Sequence, residues 1–199
     1  MSKLSESPPA KLAAPEPEFS REERRLLLHL AHRSILSAFR ETGSAEPHFS
    51  AHLSEPRGVF TTLYLHQNLR GCVGYAHPIS PLHRAVADSA RAAAFEDTRF
   101  WPVTEAEAVE LQVSLSVLSR LFPIAPEQVE VGRHGLVISE SSRRGLLLPQ
   151  VPVELDWDRE TFLDQTCCKA GLRPGAWQKK EATLEAFTAE VFSDAEMTP

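Results

Sequence analysis

Apolar residues recur at helical spacing through Leu27, Ala31, Ile35 and Ala38, with Leu28 and Phe39 beside them. Ser20 stands three residues before Glu23, the spacing of a capping box, so a helix is predicted to open there and to stop at Gly43. Residues 41–56 form a polar loop. Its histidines, His48 and His52, lie off any helical stripe and lack an acidic partner at ligand spacing, which fits solvent-exposed loop residues better than metal ligands. Residues 58–66 gather β-branched and aromatic side chains into a strand. Gln67-Asn68 is the turn, with Asn68 tolerating the left-handed conformation, and residues 69–74 return as a paired strand. Ser80 as cap and Pro81 at the first helical position open a second helix along Leu82, Val86, Ser89 and Ala93.

Thr104 and Glu107 repeat the capping-box spacing, predicting a short helix. Leu111, Val113, Leu115 and Val117 then alternate with polar residues as a half-buried strand does. Residues 121–128 carry two prolines and read as a connector, with a short strand at 129–131. Gly132-Arg133-His134-Gly135 is a tight turn, and residues 136–138 and 146–148 form a hairpin. Residues 149–156 are expected to be extended. Asp158 caps a helix ended by Gly171. A final strand spans 183–192, with a bulge where the apolar phase slips between Leu184 and Phe187. This order lacks regular strand–helix alternation. The fold class is therefore α+β, a largely antiparallel mixed sheet with packed helices. One domain is expected over 20–194, with a disordered proline-rich tail at 1–19 and a short tail at 195–199.

Composition narrows the function. A net charge of −6 over 199 residues argues against non-specific binding to nucleic acid or an anionic membrane, while leaving room for a local basic pocket. No apolar run approaches a membrane span, and residues 1–19 lack the apolar core of a signal peptide. Three cysteines, two of them adjacent, do not make a disulfide framework and fit a reducing cytoplasm. There is no P-loop, dinucleotide fingerprint, H-E-x-x-H or paired-cysteine metal site, so neither metal nor cofactor is called for.

Chemistry concentrates in Leu69-Arg70-Gly71-Cys72-Val73-Gly74. Gly71 and Gly74 permit close backbone approach, and Arg70 offers a planar fork to carboxylate or phosphate. Cys72 reads either as a small buried hydrophobe or as a thiol activated by a cation. The helix opening after this stretch would stabilise an anion there if its free amides point that way. Asp97 and Arg99 form a local clasp or face the same site as Arg70. His134 is the candidate base for Cys72, or a turn histidine bonded to local backbone.

The hexapeptide, with Pro78-Ile79-Ser80-Pro81-Leu82, Asp97-Thr98-Arg99-Phe100, Gly132-Arg133-His134-Gly135-Leu136, Arg144-Gly145-Leu146-Leu147-Leu148-Pro149-Gln150-Val151 and Lys169-Ala170-Gly171-Leu172 in that order, resembles the AMMECR domain family. The family's usual hexapeptide has isoleucine where Val73 stands. The resemblance implies two unequal, interleaved lobes with a cleft beside the hexapeptide. It also implies Memo-like and radical-SAM proteins as partners in a modification pathway. Two functions follow. One is an enzyme with Cys72 as nucleophile, His134 as base, and Arg70, Gly71, Gly74, Asp97 and Arg99 around a small anionic or nucleotide-type substrate. The other is a non-catalytic binding or adaptor module for a nucleotide or a protein partner.

Overall fold

The computed structural model describes residues 17–40 and 48–197. The expected tail at 1–16, the predicted helix stop at Gly43 and the last two residues lie outside them. The helices are α1 (Arg21–Leu36), α2 (Leu82–Phe95), α3 (Glu105–Ala108), α4 (Gln150–Glu154), α5 (Arg159–Lys169) and α6 (Asp194–Met197). The strands are β1 (Val59–Leu65), β2 (Asn68–Tyr75), β3 (Gln112–Leu118), β4 (Phe122–Pro123), β5 (Gly135–Glu140), β6 (Arg143–Leu147), β7 (Thr183–Phe187) and β8 (Ala189–Ser193). Instead of one mixed sheet there are two, ordered β2-β1-β3-β8 and β4-β7-β5-β6, and every pairing is antiparallel. The α+β class stands.

Local signals explain most element boundaries. At the start of α1 the Ser20 hydroxyl accepts from the Glu23 amide (3.2 Å), and the Glu23 carboxylate accepts from the Ser20 amide (3.0 Å). The helix ends at Leu36, leaving Ala38 and Phe39 in the following turn. On α2 the predicted face, Leu82, Val86, Ser89 and Ala93, is buried. Its cap is Pro81 rather than Ser80, with no side-chain bond, and the Leu82 amide is satisfied by the Glu55 carbonyl (2.9 Å). The β1–β2 turn places His66 and Gln67 at positive φ, the two-residue geometry that matches strand twist, so Asn68 already belongs to β2. At the end of α5 the Gly171 amide bonds Cys168 O and the Leu172 amide bonds Cys167 O, a Schellman closure made with Gly171 at φ +71. Cys167 is buried and Cys168 exposed.

Other expectations change. Residues 129–131 make no strand. The passage at 149–156 contains α4, whose Pro152 sits in the first turn, where a missing amide costs no helical bond. The phase slip between Leu184 and Phe187 is not a bulge, since β7 pairs with β5 in unbroken register and packs Leu184 and Ala186 on one face and Phe187 on the other. β7 ends at Phe187 in the second sheet, and β8 starts at Ala189 in the first, so the chain changes sheets at Thr188. Phe19, assigned to the tail, is only 1% exposed and stacks on His52 at 4.8 Å. His52 is therefore half-buried, with its Nδ1 at 2.9 Å from a Glu23 carboxylate oxygen, and is no free loop histidine.

The first sheet packs on α1 and α2 through Leu63, Leu115, Val86 and Leu27. The second packs on α5 through Leu136, Phe162, Leu163 and Ala186. Where the sheets meet, Leu118, Val137 and Phe187 fill the junction. A pocket of about 200 Å3 opens beside it.

Candidate functional site

β2 is an edge strand, and the hexapeptide forms most of it. Edge strands present unpaired amides and carbonyls that invite another chain. Here Asp97 and Arg99 take the place of a neighbouring strand. The Cys72 amide donates to Asp97 Oδ2 (2.8 Å), and Arg99 Nη2 donates to the Cys72 carbonyl (3.4 Å). Arg99 also grips Asp97 through Nε (2.9 Å) and Nη2 (2.7 Å). These hydrogen bonds, Arg99's first, hold the Asp97 carboxyl far below the usual carboxylate range. The clasp is thus real, and it also ties the loop after α2 to the hexapeptide.

Arg70 makes a second closure. Its Nε and Nη2 bond the two oxygens of Glu107 (3.0 and 3.1 Å), while Nη1 and Nη2 donate to the carbonyls of Trp101 (2.9 Å) and Pro102 (3.4 Å). Glu107 meanwhile completes the capping box of α3, accepting from the Thr104 amide (2.8 Å). Arg70 first, then the Thr104 amide, bring its pKa down to about 2. The capping box is visible in the sequence. That its carboxylate also holds Arg70, 37 positions away in sequence, needs the fold.

The glycines serve packing. A Cβ on Gly71 would lie 2.1 Å from the Ala93 carbonyl oxygen, and one on Gly74 2.5 Å from the Val59 carbonyl oxygen and 2.4 Å from the Phe60 ring. Gly71 therefore sits on the last turn of α2. The carbonyls there carry the negative end of the helix dipole, so the anion-stabilising N-terminus expected near Cys72 is at the other end of the helix.

Cys72 itself lies on the sheet face turned away from α1 and α2. Register aligns Cys72 with Thr62, Thr62 with Ser114, and Ser114 with Ser193, a row of one thiol and three hydroxyls across all four strands. All four are half-buried, and Thr62 Oγ1 donates to Cys72 Sγ at 3.4 Å. Alternation in β3 hints at Ser114, but the row depends on register and is invisible in one sequence.

His134 is not brought to this row. Its Nδ1 accepts from the Glu130 amide (3.0 Å), its ring meets Phe122 edge-on, and burial lowers its pKa. The adjoining Gly132 and Arg133 border β8, at the opposite edge of the first sheet from β2. Three strand spacings separate those edges, roughly 14 Å, well beyond hydrogen-bond reach. The local-backbone alternative for His134 is the one the geometry adopts.

Two antiparallel sheets, each backed by helices, with an arginine-locked edge strand carrying R-G-x-x-G, define a distinct α+β class. The AMMECR1 family profile matches residues 28–192. The chain belongs to the AMMECR1 family. It is 42% identical to a protein of Thermococcus onnurineus over 181 residues, 84% of this chain and 88% of the relative. It is 40% identical to protein MK0488 of Methanopyrus kandleri, with 88% and 90% covered. Its fold is similar to the crystal structure of the uncharacterized protein PH0010 from Pyrococcus horikoshii, with TM-score 0.62, 40% identity and 84% and 89% of the two chains covered. Among the described residues, no helix is long and apolar enough to cross a membrane.

Proposed function

We propose that the protein is a non-catalytic binding module whose contact surface is the platform around the hexapeptide. One observation carries this reading: Trp101 is 87% exposed on a loop whose backbone Arg70 holds from behind by two carbonyl bonds. An indole open to solvent on a braced backbone is the kind of side chain that most often anchors a protein interface. Arg70 and Arg99 already have matched carboxylates, so they act as braces rather than as free anion receptors. The partner is a protein with an apolar socket for the indole, and Memo-like and radical-SAM proteins are the partners to test. Titration calorimetry should show Trp101→Ala weakening such a complex at least about tenfold with an unchanged circular dichroism spectrum. Equal binding by the variant, or no binding by the wild type, rejects the proposal.

A second reading keeps Cys72 as a nucleophile toward a small anionic or nucleotide-type substrate. Its support is the hydroxyl of Thr62 donating to the sulfur at 3.4 Å, which puts a polar partner beside the half-buried thiol. It calls for a base other than His134. Site-resolved alkylation against pH tests it, with Cys167 and Cys168 as comparators. A Cys72 curve displaced well below that of the unfolded protein supports the thiolate. A curve matching the unfolded protein, or no reaction until unfolding, removes it.

A further inference from the structure

The pocket beside the junction is built from segments that the site above does not use. Three arginines, Arg57, Arg120 and Arg144, line it together with His77, over an apolar floor that includes Leu118, Leu146 and Phe187. Among the described residues lining it there is no carboxylate, in a chain of net charge −6. The arginines come from three places. Arg57 precedes β1, Arg120 follows β3, and Arg144 lies on β6 two positions from Leu146.

Their pairing is incomplete. Arg57 has a side chain only 4% exposed, and burying a guanidinium is costly unless its donors are satisfied. Its Nη2 contacts Glu18 and Glu55 (3.2 Å), and its Nη1 reaches the Leu118 carbonyl only at 3.5 Å. Its Nε is buried with no hydrogen-bond partner. Glu55 is shared, because it also receives Arg120 Nη2 (2.5 Å). Arg144 meets Glu185 at 3.9 Å, an ion pair too long for a hydrogen bond. Arg70 and Arg99 each have a carboxylate gripped through two nitrogens. These three share theirs or hold them at a distance, and all three line one opening.

We infer that this pocket binds a small organic anion, with a carboxylate or phosphate head on Arg57, Arg120 and Arg144 and an apolar body on Leu118, Leu146 and Phe187. Planar forks match the oxygens of either head. The volume, about 200 Å3, limits the occupant to a compact molecule and excludes a polymer. The site is independent of the Trp101 platform. Arg70 and Ala76 lie six positions apart along β2 and its exit, about 20 Å when extended.

Calorimetry and thermal unfolding of the full chain test this, with four probes at constant ionic strength: phenylacetate, phenyl phosphate, inorganic phosphate and 2-phenylethanol. At least one aromatic anion should bind saturably and raise Tm. Inorganic phosphate, lacking the apolar body, should bind at least about tenfold more weakly, and the neutral alcohol should leave Tm unchanged. Arg57→Gln risks misfolding, so the deciding variant is Arg144→Gln at a half-exposed position. It should weaken the aromatic anion about tenfold or more while leaving the unliganded Tm in place. Trp101→Ala should bind the anion as the wild type does. The inference falls if no aromatic anion binds, if the alcohol or inorganic phosphate matches the aromatic anions, or if Arg144→Gln binds them unchanged.

Discussion

The two ends of β2 hold arginines in opposite situations. At the hexapeptide end, Arg70 is fully engaged by a carboxylate and two carbonyls, and Arg99 by Asp97 and the Cys72 carbonyl. At the far end, Arg57, Arg120 and Arg144 line one opening, the first two sharing Glu55, the third meeting Glu185 only at 3.9 Å, and Arg57 Nε has no acceptor. The first arrangement gains its energy on folding and has little left for a ligand. The second leaves donors unsatisfied, which is what a ligand can supply. Charged residues in a recognisable motif are therefore weak evidence of a reactive site until their partners are known. The less prominent arginines make the better receptor.

The comparison is broken most severely at Gly71. Gly71→Ala must push β2 off the backbone of α2, and urea unfolding should show a loss of about 3 kcal/mol or more. Arg70→Ala comes next. It leaves the partly buried Glu107 without its partner and releases two exposed loop carbonyls, for an expected loss of about 2 kcal/mol. Arg144→Ala, at the open end, should stay within about 0.5 kcal/mol of wild type. Equal losses for these two variants would erase the distinction between brace and receptor.

Acid sharpens it further. Glu107 has a folded pKa of about 2, below the 4.5 of an ordinary glutamate. A depressed carboxyl stabilises the fold above the unfolded value, and that stability drains away as pH falls from about 4.5 toward 2. Glu107→Gln should be less stable than wild type at neutral pH and should lose less between pH 5 and roughly 2, a difference that chemical denaturation at several pH values can measure. Asp97 acts in the same direction. The smallest effect is expected at His134. His134→Ala should leave the alkylation profile of Cys72 where it was, because the imidazole sits near the other edge of the first sheet. A displaced profile would revive the nucleophile–base pair.

Much of the fold was legible because its signals are local. The capping boxes at Ser20 and Thr104, the Asp158 cap, the Gly171 stop and the alternation in β3 each act within a few residues of their cause. Pattern failed where a distant contact decided. The slip between Leu184 and Phe187 looked like a bulge because β7 is apolar on both faces, Leu184 and Ala186 packing toward α5 and Phe187 toward the junction of the sheets. Phe19 passed for tail because its burial depends on Phe192 and His52, far along the chain.

By itself the sequence determined the α+β class, the family, the main helices and strands and the stretch where Arg70, Gly71, Cys72 and Gly74 gather. Periodicity, caps and motif spacing are written in consecutive residues. Only the tertiary structure decided what those residues touch. It gave Arg70 to Glu107, placed Gly71 on Ala93, aligned Cys72 with Thr62, Ser114 and Ser193, kept His134 near the opposite edge, and drew Arg57, Arg120 and Arg144 into one pocket. These outcomes turn on register and on which sheet each strand joins, and both are settled by the burial of whole faces rather than by any local pattern.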